Sequence, residues 1–188
     1  MRYLRLFESF EDIDEICRKY NIIDYTINPD KSIDVNDCVD LRFKNLTKLP
    51  LKFNKVNGYF ICSNNKLKSL EGSPKEVNGY FDCHHNRLTS FEFSPRIIRE
   101  CFYCYNNNIK SFEYFPSFVK NNFYCFDNPI KEVWDLFRDT TKIELLNDFD
   151  IFRDEDTDKP AIVMERLNDF LLTIGEDPVK RVERYKNI

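Results

Sequence analysis

A block of 21 residues recurs in the middle of the chain and keeps the same side chains in the same order. Each copy has Val or Ile, a Phe four residues later and a Cys two residues after that; the cysteines are Cys62, Cys83, Cys104 and Cys125. Other columns share the spacing: Asn65, Asn86, Asn107 and Asn128; Leu67, Leu88, Ile109 and Ile130; Pro74, Pro95 and Pro116. Several positions that recur with the same 21-residue spacing indicate a chain built from structural repeats.

The order of side chains within each block indicates the kind of repeat. An apolar alternation typical of a strand is followed by an Asn and then by Leu-x-x-Leu, which is the pattern of leucine-rich repeats. A 21-residue repeat leaves little room for a helix on the convex side, so the backbone on that side should be extended or 3₁₀. The predicted fold class is therefore α/β: a leucine-rich-repeat solenoid with a parallel β-sheet on its concave side.

The sequence on either side of the repeats predicts two caps. Residues 1–34 are predicted to form a helix and a β-hairpin, because apolar residues fall at helical spacing over 8–20 and Asn28-Pro29 marks a turn between short strands. Residues 35–128 are predicted to hold the repeats, the first of them degenerate. Residues 129–188 show helical stripes and are predicted to form a helical cap that covers the last repeat.

Seven cysteines in a chain without a secretory signal indicate reduced thiols. Period-two alternation points the four repeated cysteines into the interior, where their sulfurs would lie along a line of about 14 Å. A zinc ion needs four ligands at about 2.3 Å, so no metal site is expected there. Cys101 and Cys104 should point to opposite faces of one strand, which argues against a redox motif.

Charge and hydropathy narrow the classes of partner. The formal net charge is −4, from 28 basic and 32 acidic residues, which does not favour nucleic acid or an anionic membrane as the partner. The chain has no apolar run of about 18 residues and no signal peptide, so a cytoplasmic protein is expected.

The outward strand positions on the concave side are the predicted binding surface. Alternation also places Ile61, Ser63 and Cys101 there, but the candidate partner-binding residues are Tyr59, Tyr80, Asp82, His84, Tyr103, Tyr105, Tyr124 and Phe126. Three explanations of this aromatic cluster stay open: cross-strand packing alone, a protein-binding patch, or a ligand such as a carbohydrate stacked on the rings.

Two polar segments could suggest a metal site. His84 and His85 are adjacent on a strand and should point apart, so a shared ion is not expected. The acidic segment 154–165 spaces its acids like a calcium loop, but Lys159 stands where such loops have Gly and Pro160 follows it. We expect an ordinary acidic loop, and no cofactor.

The segment from Cys62 to Phe81 resembles a short leucine-rich repeat that occurs in tandem in uncharacterised proteins of large tailed bacteriophages. The opening residues 1–10 and the segment 166–175 are similar to flanks of such proteins. The resemblance implies the fold and a phage source, and it brings no catalytic activity. Residues 101–105 depart from the usual strand start, which contains Gly.

Together these features predict a non-catalytic module that binds another protein through the concave aromatic residues. If the chain is phage-encoded, the partner would be a host protein in the host cytoplasm, for example an immune factor that it inhibits. Two alternatives stay open: an enzyme or ligase with its active centre in the C-terminal cap, and a structural protein of the virion.

Overall fold

The computed structural model describes residues 12–153 and 160–188 and shows a mixed α/β architecture with parallel sheets and few helices. The helices are α1 Ile13–Lys19, α2 Lys131–Trp134, α3 Ile143–Asp148 and α4 Met164–Ile174, with a 3₁₀ helix at Thr140–Lys142. The strands are β1 Tyr25–Ile27, β2 Ile33–Val35, β3 Val39–Asp40, β4 Phe53–Val56, β5 Phe60–Ile61, β6 Glu76–Val77, β7 Phe81–Asp82, β8 Ile97–Ile98, β9 Phe102–Tyr103, β10 Phe118–Val119, β11 Phe123–Tyr124, β12 Phe152–Arg153, β13 Ala161–Ile162 and β14 Lys186–Asn187.

Successive repeats stack in register through two short strands each. One strand of each pair joins a six-stranded sheet in the order β1-β2-β4-β6-β8-β10, and the other joins a five-stranded sheet in the order β3-β5-β7-β9-β11. The repeat pairs are parallel, and residues 21 apart face each other, as Phe60 and Phe81 do. The sequence period therefore becomes the register between strands, and the arrangement is compatible with a solenoid-like α/β fold.

The segment from each Val or Ile to each Cys has the alternation typical of one strand, but in the structure it forms two strands separated by a bend. Asn57 and Asn78 lie in this bend and form a ladder of their own, because the Asn78 side-chain amide donates to Asn57 Oδ1 at 3.0 Å and Asn57 donates to Asn36. At Gly79 an added Cβ would lie 2.8 Å from the backbone nitrogen of Tyr59. Side-chain hydrogen bonds and close backbone approach thus turn the chain from one sheet to the other.

The interior is formed by the repeated apolar columns. Phe60, Phe81 and Phe102 are fully buried, and so are the repeated cysteines, as the alternation predicts. The repeated asparagines bind backbone of two repeats: the Asn86 amide donates to the carbonyls of Cys62 and Cys83 at 3.0 and 3.1 Å, and its oxygen accepts from the Leu67 N–H at 2.9 Å. These bonds satisfy backbone groups that the tight turn leaves unpaired.

The flanks agree with the sequence in part. The N-terminal helix is confirmed over Ile13–Lys19 with Asp12 as its N-cap, and β1 pairs with β2 as the predicted hairpin; residues 1–11 lie outside the described residues. The C-terminal flank is not purely helical as predicted, because β12, β13 and β14 form a third sheet. Ala161 and Ile162 belong to this sheet, so the last helix starts at Met164; it ends at Gly175, whose φ is 85°.

Candidate functional site

The candidate partner-binding residues share the outward side of the five-stranded sheet, and we call this surface the aromatic face. Its members are Tyr59, Tyr80, Asp82, His84, Tyr103, Tyr105, Tyr124 and Phe126. They alternate along the chain with buried neighbours such as Phe81 and Cys83, so the strand pleat directs them away from the core. Seven of them are half-buried and Phe126 is exposed.

Tyrosine rings form the first row of the aromatic face. Tyr59 stacks on Tyr80 with centroids 5.1 Å apart, and Tyr103 stacks on Tyr124 at 4.9 Å with an interplanar angle of 3°. Tyr80 joins the two pairs by meeting Tyr103 edge-on at 5.9 Å. The four rings therefore form one continuous series across four strands, and such pairs add stability beyond the area they bury.

A second row begins at a histidine. His84 stacks on Tyr105 at 4.3 Å, and Tyr105 stacks on Phe126 at 4.1 Å, with interplanar angles of 12° and 15°. His85, the next residue, has its ring 5.8 Å from Tyr105 and nearly perpendicular to it. The two rows lie side by side, so the surface presents ring edges and hydroxyl groups, while most ring faces are covered by neighbouring rings.

Hydrogen bonds hold His84 in this row. Its Nδ1 lies 2.5 Å from Asp82 Oδ1, and its Nε2 lies 3.1 Å from the Asn64 side-chain nitrogen. If that amide nitrogen donates to Nε2, the ring proton sits on Nδ1 and is donated to the carboxylate. Asp82 Oδ1 also accepts from the His84 backbone N–H at 3.1 Å. Asp82 and Asn64 thus fix the ring plane on which Tyr105 stacks.

Four phenols of the aromatic face, those of Tyr59, Tyr80, Tyr103 and Tyr105, remain protonated at neutral pH. Partial burial raises the pKa of Tyr103 to about 12, and desolvation also raises the pKa values of Tyr80 and Tyr105. For Tyr59 the nearby Cys38 raises the pKa first, followed by desolvation. The hydroxyl groups can therefore donate hydrogen bonds to carbonyls or carboxylates of a partner.

The surface changes character from one end to the other. At β3 it carries the ion pair of Arg42 with Asp40, whose atoms lie 2.7 Å apart, beside a cavity of 540 Å³. At β11 it ends in the rings of Tyr124 and Phe126 beside a cavity of 650 Å³ that extends to Lys131, Trp134, Asp135 and Arg138. The first end thus offers an ion pair, and the second offers aromatic rings bordered by charged side chains.

Two positions that alternation places on this surface are buried instead. Ile61 is 3% exposed and Ser63 is 1% exposed, and the Ser63 hydroxyl is a buried group without a hydrogen-bond partner among the described residues. Ile61 ends β5 and Ser63 follows it, and the positions 21 residues later are the half-buried Asp82 and His84. A period-two pattern describes one strand and cannot predict burial by the neighbouring repeats.

Three further aromatic residues were not predicted as surface features. Phe43, Phe93 and Tyr114 are exposed, and all three have positive φ, between 57° and 64°. Phe93 and Tyr114 follow Gly72 at intervals of 21 residues, so bulky side chains stand where an earlier repeat has Gly. The replacement of Gly by a bulky residue at this repeat position was the sequence signal that could have identified these exposed rings.

The described residues give no direct support for a bound metal ion. No group of three or more His, Cys, Asp or Glu side chains within residues 12–153 and 160–188 could hold a metal ion, and the seven cysteines are free thiols. The predicted acidic loop lies partly outside the described residues, at 154–159. None of the described helices has the length and apolar character needed to cross a bilayer.

Comparison of the chain with protein-family models, with curated proteins and with solved structures found no match. The site must therefore be interpreted from its own geometry.

Proposed function

We propose that this protein is a leucine-rich-repeat solenoid that binds another protein through the aromatic face. Three features support the leucine-rich-repeat assignment: the 21-residue register, the Asn column that binds backbone of two repeats, and the parallel five-stranded sheet. In such solenoids the outward side of the sheet is the concave surface that binds partners.

The observation that carries the proposal is the pair of ring rows ending at Tyr124 and Phe126. Tyr and Trp are enriched among the residues that dominate binding energy at interfaces, because they bury much area at little entropic cost. The rows are already ordered by stacking, so a partner need not immobilise them on binding. Protonated phenols at the edges of the rings add hydrogen-bond donors whose directions are fixed.

The resemblance to repeats of tailed bacteriophages leads us to propose a phage origin and a host protein as the partner, in the host cytoplasm. Inhibition of a host immune factor fits this role, since it needs a surface and no catalytic group.

The double substitution of Tyr103→Ala and Tyr124→Ala tests the proposal. We expect partner capture from host lysate to weaken by roughly 30-fold or more, because removing central aromatic anchors costs 2 kcal/mol or more of binding free energy. The two side chains point away from the core, so the melting temperature should change little.

Tyr114→Ala is the matched control, because this ring is 59% exposed and lies off the aromatic face. It should leave capture unchanged. A double variant that folds and still captures the partner at wild-type affinity would place the binding surface elsewhere.

A further inference from the structure

Strand β11 is the last strand of the five-stranded sheet, and its outer edge borders a cavity of 650 Å³. Residues 121–126 line one side of this cavity, and side chains at and just beyond α2, among them Lys131, Trp134 and Arg138, line the other. A volume of this size lies within the range of pockets that bind ligands.

The backbone at this edge lacks the partners that every equivalent edge inside the sheet has. In β9 and the residues after it, the N–H groups donate to the next repeat at 2.9 to 3.0 Å: Phe102 to Asn122, Cys104 to Tyr124, and Asn106 to Phe126. One repeat earlier, Phe81, Cys83 and His85 do the same at 2.9 to 3.0 Å.

The corresponding donors of the last repeat are the N–H groups of Phe123, Cys125 and Asp127. Within residues 12–153 and 160–188 no carbonyl accepts from them. Phe123 and Cys125 are buried residues that line the cavity. Three donors in a row, spaced by two residues, form the binding edge that a further strand would use.

The aromatic side chains at this edge stand at the ends of their rows. In the part of the chain that the structure describes, Tyr124 has one ring neighbour, Tyr103, and Phe126 has one, Tyr105. Each therefore keeps one ring face available for a planar group. On the inner side, Trp134 packs edge-on against Phe123 at 5.0 Å, so an added strand could place only a small side chain there.

We propose that β11 accepts an extended segment of the partner protein as an added parallel strand. The segment carries planar side chains, aromatic or Arg, at two positions separated by one small residue, so that they continue the rows at Tyr124 and Phe126. This inference rests on the proposed function and specifies how the partner binds. Main-chain hydrogen bonds supply affinity in such strand addition, and alternate side chains supply specificity.

The probe is a six-residue peptide that copies residues 122–127 with Phe123→Ala and Cys125→Ser, capped at both ends. Backbone NMR titration at millimolar peptide should shift the amide signals of Phe123, Cys125 and Asp127. Their hydrogen exchange should slow at saturation. The amides of Phe102, Cys104 and Asn106 are the internal control, since they are already bonded.

N-methylation separates strand addition from simple contact between rings. The backbone carbonyls of Tyr124 and Phe126 point toward the preceding repeat, where Cys104 and Asn106 donate to them, whereas the backbone groups of Cys125 point away from it. By the same geometry, N-methylation of the Tyr in the peptide removes a hydrogen bond to β11, and N-methylation of the Ser removes none. We expect the first peptide to bind at least ~10-fold more weakly and the second to bind within ~2-fold of the parent.

Three results would overturn the inference. The peptide could cause no shift at the β11 amides, or both methylated peptides could bind equally well while Tyr124→Ala abolishes binding. In the second case the aromatic face still binds and the proposed function stands. Alternatively, wild-type protein could self-associate in sedimentation and become monomeric with Tyr124→Ala, which would make a second copy the occupant. Unchanged partner capture by the Tyr103→Ala, Tyr124→Ala variant would instead contradict the proposed function.

Discussion

At the scale of single residues, the Asn column shows how one side chain serves two repeats. Asn107 donates to the carbonyls of Cys83 and Cys104 at 3.1 and 2.9 Å and accepts from the Leu88 N–H at 3.0 Å. An Asn at a strand exit can satisfy backbone groups on both sides of a turn, which explains why the repeat keeps this residue type.

Asn107→Ala should lower the free energy of unfolding by about 2 kcal/mol, because it leaves the Leu88 N–H without its acceptor. It also removes one of two donors from the carbonyls of Cys83 and Cys104, which Asn86 and Asn128 still bind. The neighbouring Asn108→Ala is the control, since Asn108 is exposed and its backbone N–H, which the substitution keeps, donates to the Leu88 carbonyl at 2.8 Å. Urea unfolding of both variants measures the difference. Equal midpoints would show that the ladder contributes nothing to stability.

The buried thiols should make stability depend on alkaline pH. Desolvation by burial raises the pKa of Cys62, Cys83 and Cys104 well above the usual 9.0, and raises that of Cys125 to about 12. The unfolded chain loses these protons first, so the contribution of the thiols to the free energy of unfolding should be constant below about pH 9 and should decline as the pH rises above it. Urea titrations at neutral pH and at about pH 10 test this.

Cys125→Val removes one titrating thiol and should make the decline shallower. The three remaining thiols and the raised pKa values of Tyr103 and Tyr185 maintain the rest of it. At neutral pH the four thiols should also resist modification without denaturant, because the thiolate is the reactive form. Rapid labelling of all four would contradict the burial on which both expectations depend.

Some residues could not have been placed from the sequence. Ser63 occupies an outward position in the period, yet its hydroxyl is buried. Phe93 adopts a φ of 64°, which its residue type disfavours, because the repeat requires a left-handed residue at the position that Gly72 fills earlier. Alternation and propensity act within one strand, whereas these outcomes depend on neighbouring repeats.

At the scale of elements, the 21-residue period was enough to predict which strands pair and with what register. It did not predict the bend that separates β6 from β7, although Asn78-Gly79 is a recognised turn signal. It also missed the sheet of β12, β13 and β14, since two-residue strands have no period of their own. The candidate site was predictable because its members follow the strand alternation, but the cavity beside β11 depends on how α2 packs.

The stacked Phe column should be the main contribution of the five-stranded sheet to stability. Phe81 is fully buried, with ring centroids 5.6 Å from both Phe60 and Phe102. Phe81→Ala should therefore cost about 3 to 5 kcal/mol of unfolding free energy, as deep core truncations do. Phe118→Ala removes an exposed ring and is the control. A loss below about 1 kcal/mol in chemical denaturation would show that the column is not the core.

At the scale of the molecule, one apolar core extends from Cys17 in α1 to Tyr185 near the C-terminus. The C-terminal flank is tied to the repeats by specific contacts. The Tyr185 hydroxyl donates to the Lys110 carbonyl at 2.8 Å, and the Asn147 side chain donates to the Phe112 carbonyl at 3.2 Å. Because each repeat buries its apolar surface against the next, loss of this flank would expose the last repeat.

This shared core predicts that the repeats and the C-terminal flank unfold together. Trp134 is the single tryptophan and packs against Phe123 of the last repeat and Phe137 of the flank, so its fluorescence reports the junction. In urea, the fluorescence transition should coincide with the transition in far-UV circular dichroism, as two-state unfolding requires. Tyr185→Ala weakens the junction from the far side of the flank and should shift both curves together. A fluorescence transition at a lower urea concentration than the circular-dichroism transition would show that the flank detaches first. The aromatic rows would then end beside a segment that separates from the repeats before they unfold.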